Sequence, residues 1–450
     1  MIIRHEVGVL RLKPNLERSS ERSLKRFLIT LFSLLPACVW LSCGGSTPSS
    51  STQTSGIKTR ALISNSVSAG SLAAGVYILN VATDVPASAT AISVGNTPGM
   101  MVVTPNRTET IVFSGSGTQS SDNQLSIINN ASESAAAHVT LPGLTESIVV
   151  SPDSSSAYIA IPTAPVVGQS PGIVQAISVN GGSIGQAAVP GVRYLSIDNS
   201  GDRLLGFSDN SDSVALITPS NIGTSTSAVT YAAGFDRPVS AFFSSDGTTA
   251  YVLNCGAECG GTQAGVQTLN LLTNAVGTAI PVPAATIAFV NNSTMYLAGT
   301  PLANPQPCTG ETTQATTCGL LTIFDLNSMS VTNTSPIVIT DGYHDRIAMG
   351  ANGQLFIGAR TCSEIVPPVP PPTGSEVRGC LSIYNSQTGA VVIPPANGDV
   401  TGIQPITKRA VVYVVQGGSL NIYDTTTDVL HSTQIINLIG EFFDVKTIDF

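Results

Sequence analysis

Three short runs carry the side chains best suited to hold a charged ligand: Arg193-Tyr194, Asp236-Arg237 and Tyr343-His344-Asp345-Arg346. Guanidinium groups grip carboxylates and phosphates in a fixed fork, and tyrosine hydroxyls add neutral donors. If the runs converge in a concave mouth, they form a receptor for a small anion or an acidic peptide end. The competing reading is structural: Arg237 and Arg346 pair with the Asp before each or hold strand ends. His344 is one of three histidines after residue 43 and, with the nearby acids, a candidate for proton transfer.

Other constellations are weaker. Gly168-Gln169-Ser170-Pro171-Gly172 and Gly181-Gly182-Ser183-Ile184-Gly185 match a nucleophile-elbow pattern. The elbow needs an oxyanion N–H on the following residue and a helix after it. Pro171 has no N–H, and the second match sits in a hairpin turn. The acidic turns Asp198…Asp202 and Asp209…Asp212 lack the Gly-and-Glu pattern of a calcium loop. Cys255 and Cys259 have near-ligand spacing, but no histidine is close in sequence to complete a zinc site. No catalytic residue, metal or cofactor is therefore assigned.

The elements that must position these runs are β-strands. The 450-residue chain is 42% apolar but only 10% charged, with 42 glycines. Such a composition builds short strands and Gly/Asn/Asp/Ser turns rather than long charged helices. One unit recurs: an apolar strand, a polar turn, a second strand, a variable loop, and a third strand ending near Asp or Asn. Clear third strands are 125–129, 319–325, 381–385 and 420–424; looser copies are 76–80, 174–180, 214–218 and 266–270. Eight first strands accompany them, near 101–104, 148–151, 194–198, 241–245, 287–291, 346–350, 402–407 and 445–450. The turns 151–156, 198–202, 244–247 and 350–353 join first to second strands. The final strand has no followers, and 61–66 with 76–84 form a second and third strand without a first. The pattern predicts an all-β propeller over 59–450 with eight four-stranded blades, closed by a composite blade from both termini; seven blades is the alternative.

Residues 4–26 hold seven Lys/Arg, and an apolar run, FLITLFSLLPACVWLS, spans 27–42. Sixteen residues fit a secretory core better than a membrane-spanning helix, which needs about 20. The run ends in Leu41-Ser42-Cys43-Gly44-Gly45, which resembles the lipobox of bacterial lipoproteins. That resemblance implies a signal peptide over 1–42, diacylglycerol on Cys43 and, with Gly rather than Asp at 44, an outer-membrane destination in the cell envelope. Residues 43–58 then read as a lipidated cysteine and a Ser/Thr-rich flexible tether. In an exported protein, the six later cysteines are expected to be oxidised. They fall in local pairs, Cys255/Cys259, Cys308/Cys318 and Cys362/Cys380, each between the second and third strands of successive blades. Three loop-base disulfides follow.

Ser151-Pro152-Asp153…Ala157-Tyr158-Ile159, Ser245-Asp246-Gly247…Ala250-Tyr251-Val252-Leu253-Asn254 and Asn421-Ile422-Tyr423-Asp424-Thr425 are similar to the YVTN-type repeat. That family shades into lactonase-like propellers, so the resemblance implies the fold and, less directly, a hydrolase at the channel mouth. The only tryptophan is Trp40, so WD40 and quinoprotein blade signatures are absent. Beyond residue 43 the chain has 12 bases against 25 acids and no basic run, which disfavours nucleic acid. The sequence is read as a lipid-anchored, monomeric, non-catalytic binding or scaffold propeller for an unknown protein or small anionic ligand. The lactonase-like enzyme stands as the alternative, and whether any catalysis occurs is left open.

Overall fold

The computed structural model describes residues 54–67, 73–87, 91–115, 122–224, 229–302, 318–363, 379–406, 408–430 and 440–449. The expected signal peptide, Cys43, most of the tether, and Cys308 lie outside the described residues.

Eight antiparallel sheets form eight blades. In chain order, blade 1 spans residues 98–140, blade 2 147–188, blade 3 192–233, blade 4 238–281, blade 5 287–339, blade 6 343–392 and blade 7 400–430. Blade 8 joins Phe442–Thr447 to Arg60–Asn65, Gly75–Asn80 and Val85–Pro86. The first strand of each blade is innermost, and each touches the next blade's first strand in an unbroken circle. Blade 5 departs slightly, because Ser330–Val331 and Ile337–Ile339 both pair with its third strand Gly319–Asp325. Eight blades closed by a composite blade is the architecture the repeats predict. Among the described residues the only helices are two 3₁₀ turns, Pro219–Asn221 and Gly256–Cys259.

No single core fills the centre. The apolar residues fall into eight clusters, each between two neighbouring blades. Between blades 1 and 2, for example, Ile111, Phe113, Leu125 and Ile127 meet Ile148, Ile159 and Ile177. A middle strand therefore has both faces covered and reads as a continuous apolar run rather than an alternating one. Val411–Gln416 (VVYVVQ) is buried at every position.

The turns explain the polar punctuation. In blade 2, Ser155 N donates to Asp153 Oδ1 at 3.0 Å and Ser156 N to Ser151 Oγ at 3.0 Å. Blade 4 repeats this with Thr248 N on Asp246 Oδ1 at 3.0 Å and Thr249 N on Ser244 Oγ at 3.0 Å. Five of the eight third strands end in an Asp or Asn whose carboxyl or amide oxygen accepts the N–H two residues on, an Asx turn. Asn80, Asn270, Asp325, Asn385 and Asp424 all do so.

The ring closes where the termini meet. Arg60–Asn65 pairs antiparallel with Phe442–Thr447. Arg60 clasps the joint: Nε and Nη2 donate to Asp449 at 2.7 and 2.9 Å, and Nη1 reaches Glu133 of blade 1 at 2.8 Å. Ser55 also hydrogen-bonds Glu133 through Oγ at 2.6 Å, so contacts with the propeller begin four residues before the expected start at 59. On the other side, Arg409 of blade 7 holds the buried Asp84 of blade 8, with Nη2 to Oδ2 at 2.8 Å.

Asp449→Ala should lower stability by about 2 kcal/mol, because it removes two charge-assisted bonds and leaves the part-buried guanidinium with Glu133 as its remaining counter-charge. Deleting 442–450 exposes two strand edges and should abolish cooperative unfolding. Urea unfolding followed by circular dichroism reads both; an unchanged midpoint in the truncated chain would refute the closure.

Candidate binding site in the central channel

The innermost strands are not regular. Six of the eight carry a register shift near their start: Pro98/Met101, Val192/Tyr194, Pro238/Ser240, His344/Arg346, Val400/Gly402 and, in blade 8, opposite Ser64/Asn65. A bulge sets two residues against one, which re-aims a side chain. Consecutive residues can then both face the channel: Arg193 and Tyr194, Val239 and Ser240, Asp345 and Arg346. Side chains bridge the gaps between fanned inner strands. Leu195 N donates to Ser147 Oγ at 3.0 Å, Ala241 N to Ser196 Oγ at 3.1 Å, and Thr286 Oγ1 to the His344 carbonyl at 2.8 Å.

Two cavities lie in series at the end of the channel where the blade-entry loops and the loops between second and third strands meet. The outer vestibule, about 580 Å³, is lined by Arg193, Asp209, Arg237, Arg360 and Asp399 among others. The inner chamber, about 460 Å³, has Asp345 and Arg346 over an apolar lining that includes Met100, Phe113, Val239 and Phe443. Glu146, Tyr194, Tyr343 and Arg360 line both.

These shared residues span the channel. Glu146 precedes blade 2 and Arg360 ends the second strand of blade 6, diametrically opposite in a ring of eight; they approach to 3.9 Å. Tyr194 Oη and Tyr343 Oη lie 3.3 Å apart, and Tyr194 Oη donates to Glu146 Oε2 at 3.4 Å. Arg360 sits over the Tyr343 ring at 5.9 Å and reaches Asp345 at 2.6 Å. Charges thus alternate across the mouth: Asp345, Arg360, Glu146, Arg193, Asp209, with the last contact at 2.8 Å. Arg346 adds a second cation at 3.2 Å from Asp345. Burial holds the Asp345 carboxyl above the usual range even so, because Arg346 and Arg360 only partly offset it. Burial also pushes the Tyr194 and Tyr343 phenols up, so both stay protonated donors.

Of the residues singled out in the sequence, Arg193, Tyr194, Arg237, Tyr343, Asp345 and Arg346 do meet in these cavities. Arg346 pairs with the preceding Asp345, whereas Arg237 pairs with Asp212 at 3.4 Å rather than with Asp236. Asp236 lines neither cavity. It accepts Thr262 N at 3.0 Å and Gln263 N at 2.7 Å, and these bonds outweigh burial to hold its carboxyl low. His344 lines neither cavity either. It is fully buried against Gly319, where an added Cβ would lie 2.6 Å from His344 Cε1. Burial pushes its imidazole down to about 4, so it is neutral at ordinary pH.

Glu146, Asp399 and Arg360 were not singled out from sequence. Glu146 and Asp399 sit in blade-entry loops, the same position that flagged the others, and acids there would have found them. Arg360 ends Gln354–Arg360, whose other residues are all buried, and a charge closing such a strand was the available signal.

Two predicted disulfides are present, Cys255–Cys259 and Cys362–Cys380, each at the base of a loop between second and third strands. Of the third expected pair, Cys308/Cys318, only one half belongs to the described residues. Cys318 is buried immediately before the third strand of blade 5 and is disulfide-bonded, as oxidation of the loop base requires. The pairing with Cys308 itself falls outside the described residues, so the bridges described in full are two rather than the three expected. Cys259 lines the vestibule. The turn inside the first bridge carries Glu258, whose Oε2 accepts Thr300 N at 2.8 Å. Burial pushes this carboxyl up to about 8, only partly opposed by that bond. Among the described residues no group of three His, Cys, Asp or Glu is placed to hold a metal ion.

No family model and no curated protein matches this chain. Solved structures do. The dihydro-heme d1 dehydrogenase NirN, in complex with DHE, aligns with a TM-score of 0.56 at 12% identity, over 86% of this chain and 75% of that one. The Pseudomonas aeruginosa periplasmic gluconolactonase gives 0.46 at 13% identity, over 86% and 99%. A putative 6-phosphogluconolactonase from Bacteroides fragilis gives 0.47 at 11%, over 88% and 99%. At these identities the likeness to the first shows the fold alone.

Glu258 yields a pH prediction. Its carboxyl is protonated in the fold below about pH 8 but ionised in the unfolded chain above about 4.3. Between those values folding takes up a proton, so this group costs stability progressively as pH rises. Glu258→Gln should flatten the decline of Tm from pH 5 to 8 and leave the variant more stable than the parent at pH 9. An identical pH profile in parent and variant would contradict the burial.

Proposed function

We propose that this chain is a lipid-tethered envelope protein whose propeller binds a small organic anion in the central channel without transforming it. One observation carries the reading. Four of the 12 bases beyond residue 43 (Arg193, Arg237, Arg346 and Arg360) line the two upper cavities, against four of the 25 acids (Glu146, Asp209, Asp345 and Asp399). An acidic domain has placed a third of its bases but under a sixth of its acids around one concave space, where low-dielectric walls strengthen the pull of an arginine on an anion that displaces its partner. The ligand's charged group faces Arg193 and Arg360, and its body lies on Met100, Phe113, Val239 and Phe443 in the inner chamber. The chamber's volume suits one small molecule.

The lactonase-like alternative asks His344 or nearby acids to act at the mouth. His344 lies behind the channel wall with a neutral ring, which leaves that reading only the acid–arginine pairs. The anchor and the outer-membrane location rest on the Leu41–Gly45 run alone, and the monomeric state on a ring that is closed by its own chain.

Calorimetric titration with aromatic and aliphatic carboxylates should give saturable binding, weakened about tenfold or more in Arg360→Ala, the loss of one charge-assisted contact. The same protein should show no turnover of a lactone panel. Turnover lost in Asp345→Asn and Arg346→Ala would replace binding with hydrolysis. Cys43→Ser should move the protein from the membrane to the soluble fraction; continued membrane retention would overturn the anchor.

A further inference from the structure

The ion pairs around the upper mouth are not equally closed. Arg193 grips Asp209 through Nη2 at 2.8 Å and Nε at 3.0 Å. Arg346 donates to the backbone carbonyls of Thr401 and Asp345, each at 2.8 Å, and its Nη1 lies 3.2 Å from the Asp345 carboxylate. The pair that spans the channel stays open. Glu146 Oε2 stands 3.9 Å from Arg360 Nη2, and Glu146 Oε1 stands 3.7 Å from Arg193 Nη1. Both separations exceed the roughly 2.7–2.9 Å of a hydrogen-bonded ion pair.

Each partner of the open pair has bonding capacity left over. The Glu146 carboxylate accepts one long bond, from Tyr194 Oη at 3.4 Å, where a carboxylate has about four acceptor sites. Arg360 spends its Nε on Asp345 at 2.6 Å. Among the described residues its Nη groups have no ion-pair partner nearer than Glu146. This pair lies between the vestibule and the inner chamber of about 460 Å³, since both residues line both. The chamber wall beside it is aromatic and apolar, with Phe113, Phe443 and Met100, and the Tyr343 ring lies against Arg360 at 5.9 Å.

We infer that the channel takes a zwitterion, an aromatic α-amino acid seated on the Glu146–Arg360 pair. This rests on the carboxylate reading above and names the class of molecule that carries the carboxylate. The ammonium bonds Glu146, the carboxylate forks onto the Nη groups of Arg360, and the ring lies in the inner chamber. An ammonium and a carboxylate on one carbon sit side by side, so they reach both partners across a 3.9 Å gap. One long pair then gains two short charge-assisted contacts, and no net charge enters the cavity. A plain carboxylate lacks this balance, because it satisfies Arg360 but is repelled by Glu146; a plain amine has the converse fault.

The test is titration calorimetry of the purified full chain with phenylalanine, 3-phenylpropionate and phenethylamine at neutral pH and constant ionic strength. Phenylalanine should bind about fivefold or more tighter than either analogue, the effect of one charge-assisted contact. Glu146→Gln separates the two contacts. It should weaken phenylalanine about fivefold or more and tighten 3-phenylpropionate, because it removes the ammonium's partner and the carboxylate's repulsion together. Shifts of opposite sign exclude a folding defect as the cause. If 3-phenylpropionate binds as tightly as phenylalanine, or Glu146→Gln shifts both affinities in the same direction, the zwitterion is overturned and the carboxylate site stands. Phenethylamine binding as tightly as phenylalanine overturns the zwitterion as well. Absence of saturable binding by all three compounds overturns both this inference and the channel reading beneath it.

Discussion

Everything in this molecule depends on each blade having a neighbour on both faces. A four-stranded sheet with two apolar faces cannot be stable in water, and the eight inter-blade clusters are where that surface is hidden. The arrangement has no natural end until the circle closes. Closure falls on one antiparallel pair, 60–65 with 442–447, reinforced by the Arg60–Asp449 and Arg60–Glu133 contacts. These residues are nearly 400 positions apart, so the joint brings together the first and last strands of the ring.

The channel is a consequence of that ring. Because the blades pack face to face, the inner strands line a central space that no core residue fills. Regular strands would point only alternate side chains into it. The bulges in six inner strands break that alternation and bring adjacent pairs such as Asp345 and Arg346 to the same side. The local irregularity therefore supplies the density of charge that a regular ladder could not.

Electrostatics then divides the channel. At the upper mouth, arginines and carboxylates alternate and nearly balance, and the Glu146–Arg360 and Tyr194–Tyr343 contacts lie between vestibule and chamber. Partly exposed pairs of this kind contribute little to stability and can exchange partners readily. Further down the channel Asp444 accepts Met101 N and Val445 N and pairs with Lys446. The disulfides Cys255–Cys259 and Cys362–Cys380 brace loops on the upper side only.

The repeat pattern, its number and the composite closing blade were all legible in the chain. Strand and turn signals are local: Asp or Asn ends six of the eight third strands, where the side chain caps the next turn, and continuous apolar runs mark strands covered on both faces. The two fully described disulfides were legible for the same reason, as short-range pairs in loops. The site was only half legible. Position in a blade-entry loop was enough to nominate Arg193, Tyr194, Tyr343, Asp345 and Arg346. It could not tell that His344, between two channel-facing neighbours, turns inward at the bulge, or that Asp236 caps a loop and leaves Arg237 to Asp212. Nor could it pair Glu146 with Arg360 across the ring. Backbone hydrogen bonding and burial along one strand are written in neighbouring residues. Which side chains meet across an empty centre depends on blade number, ring closure and bulge position together, and only the folded ring combines them.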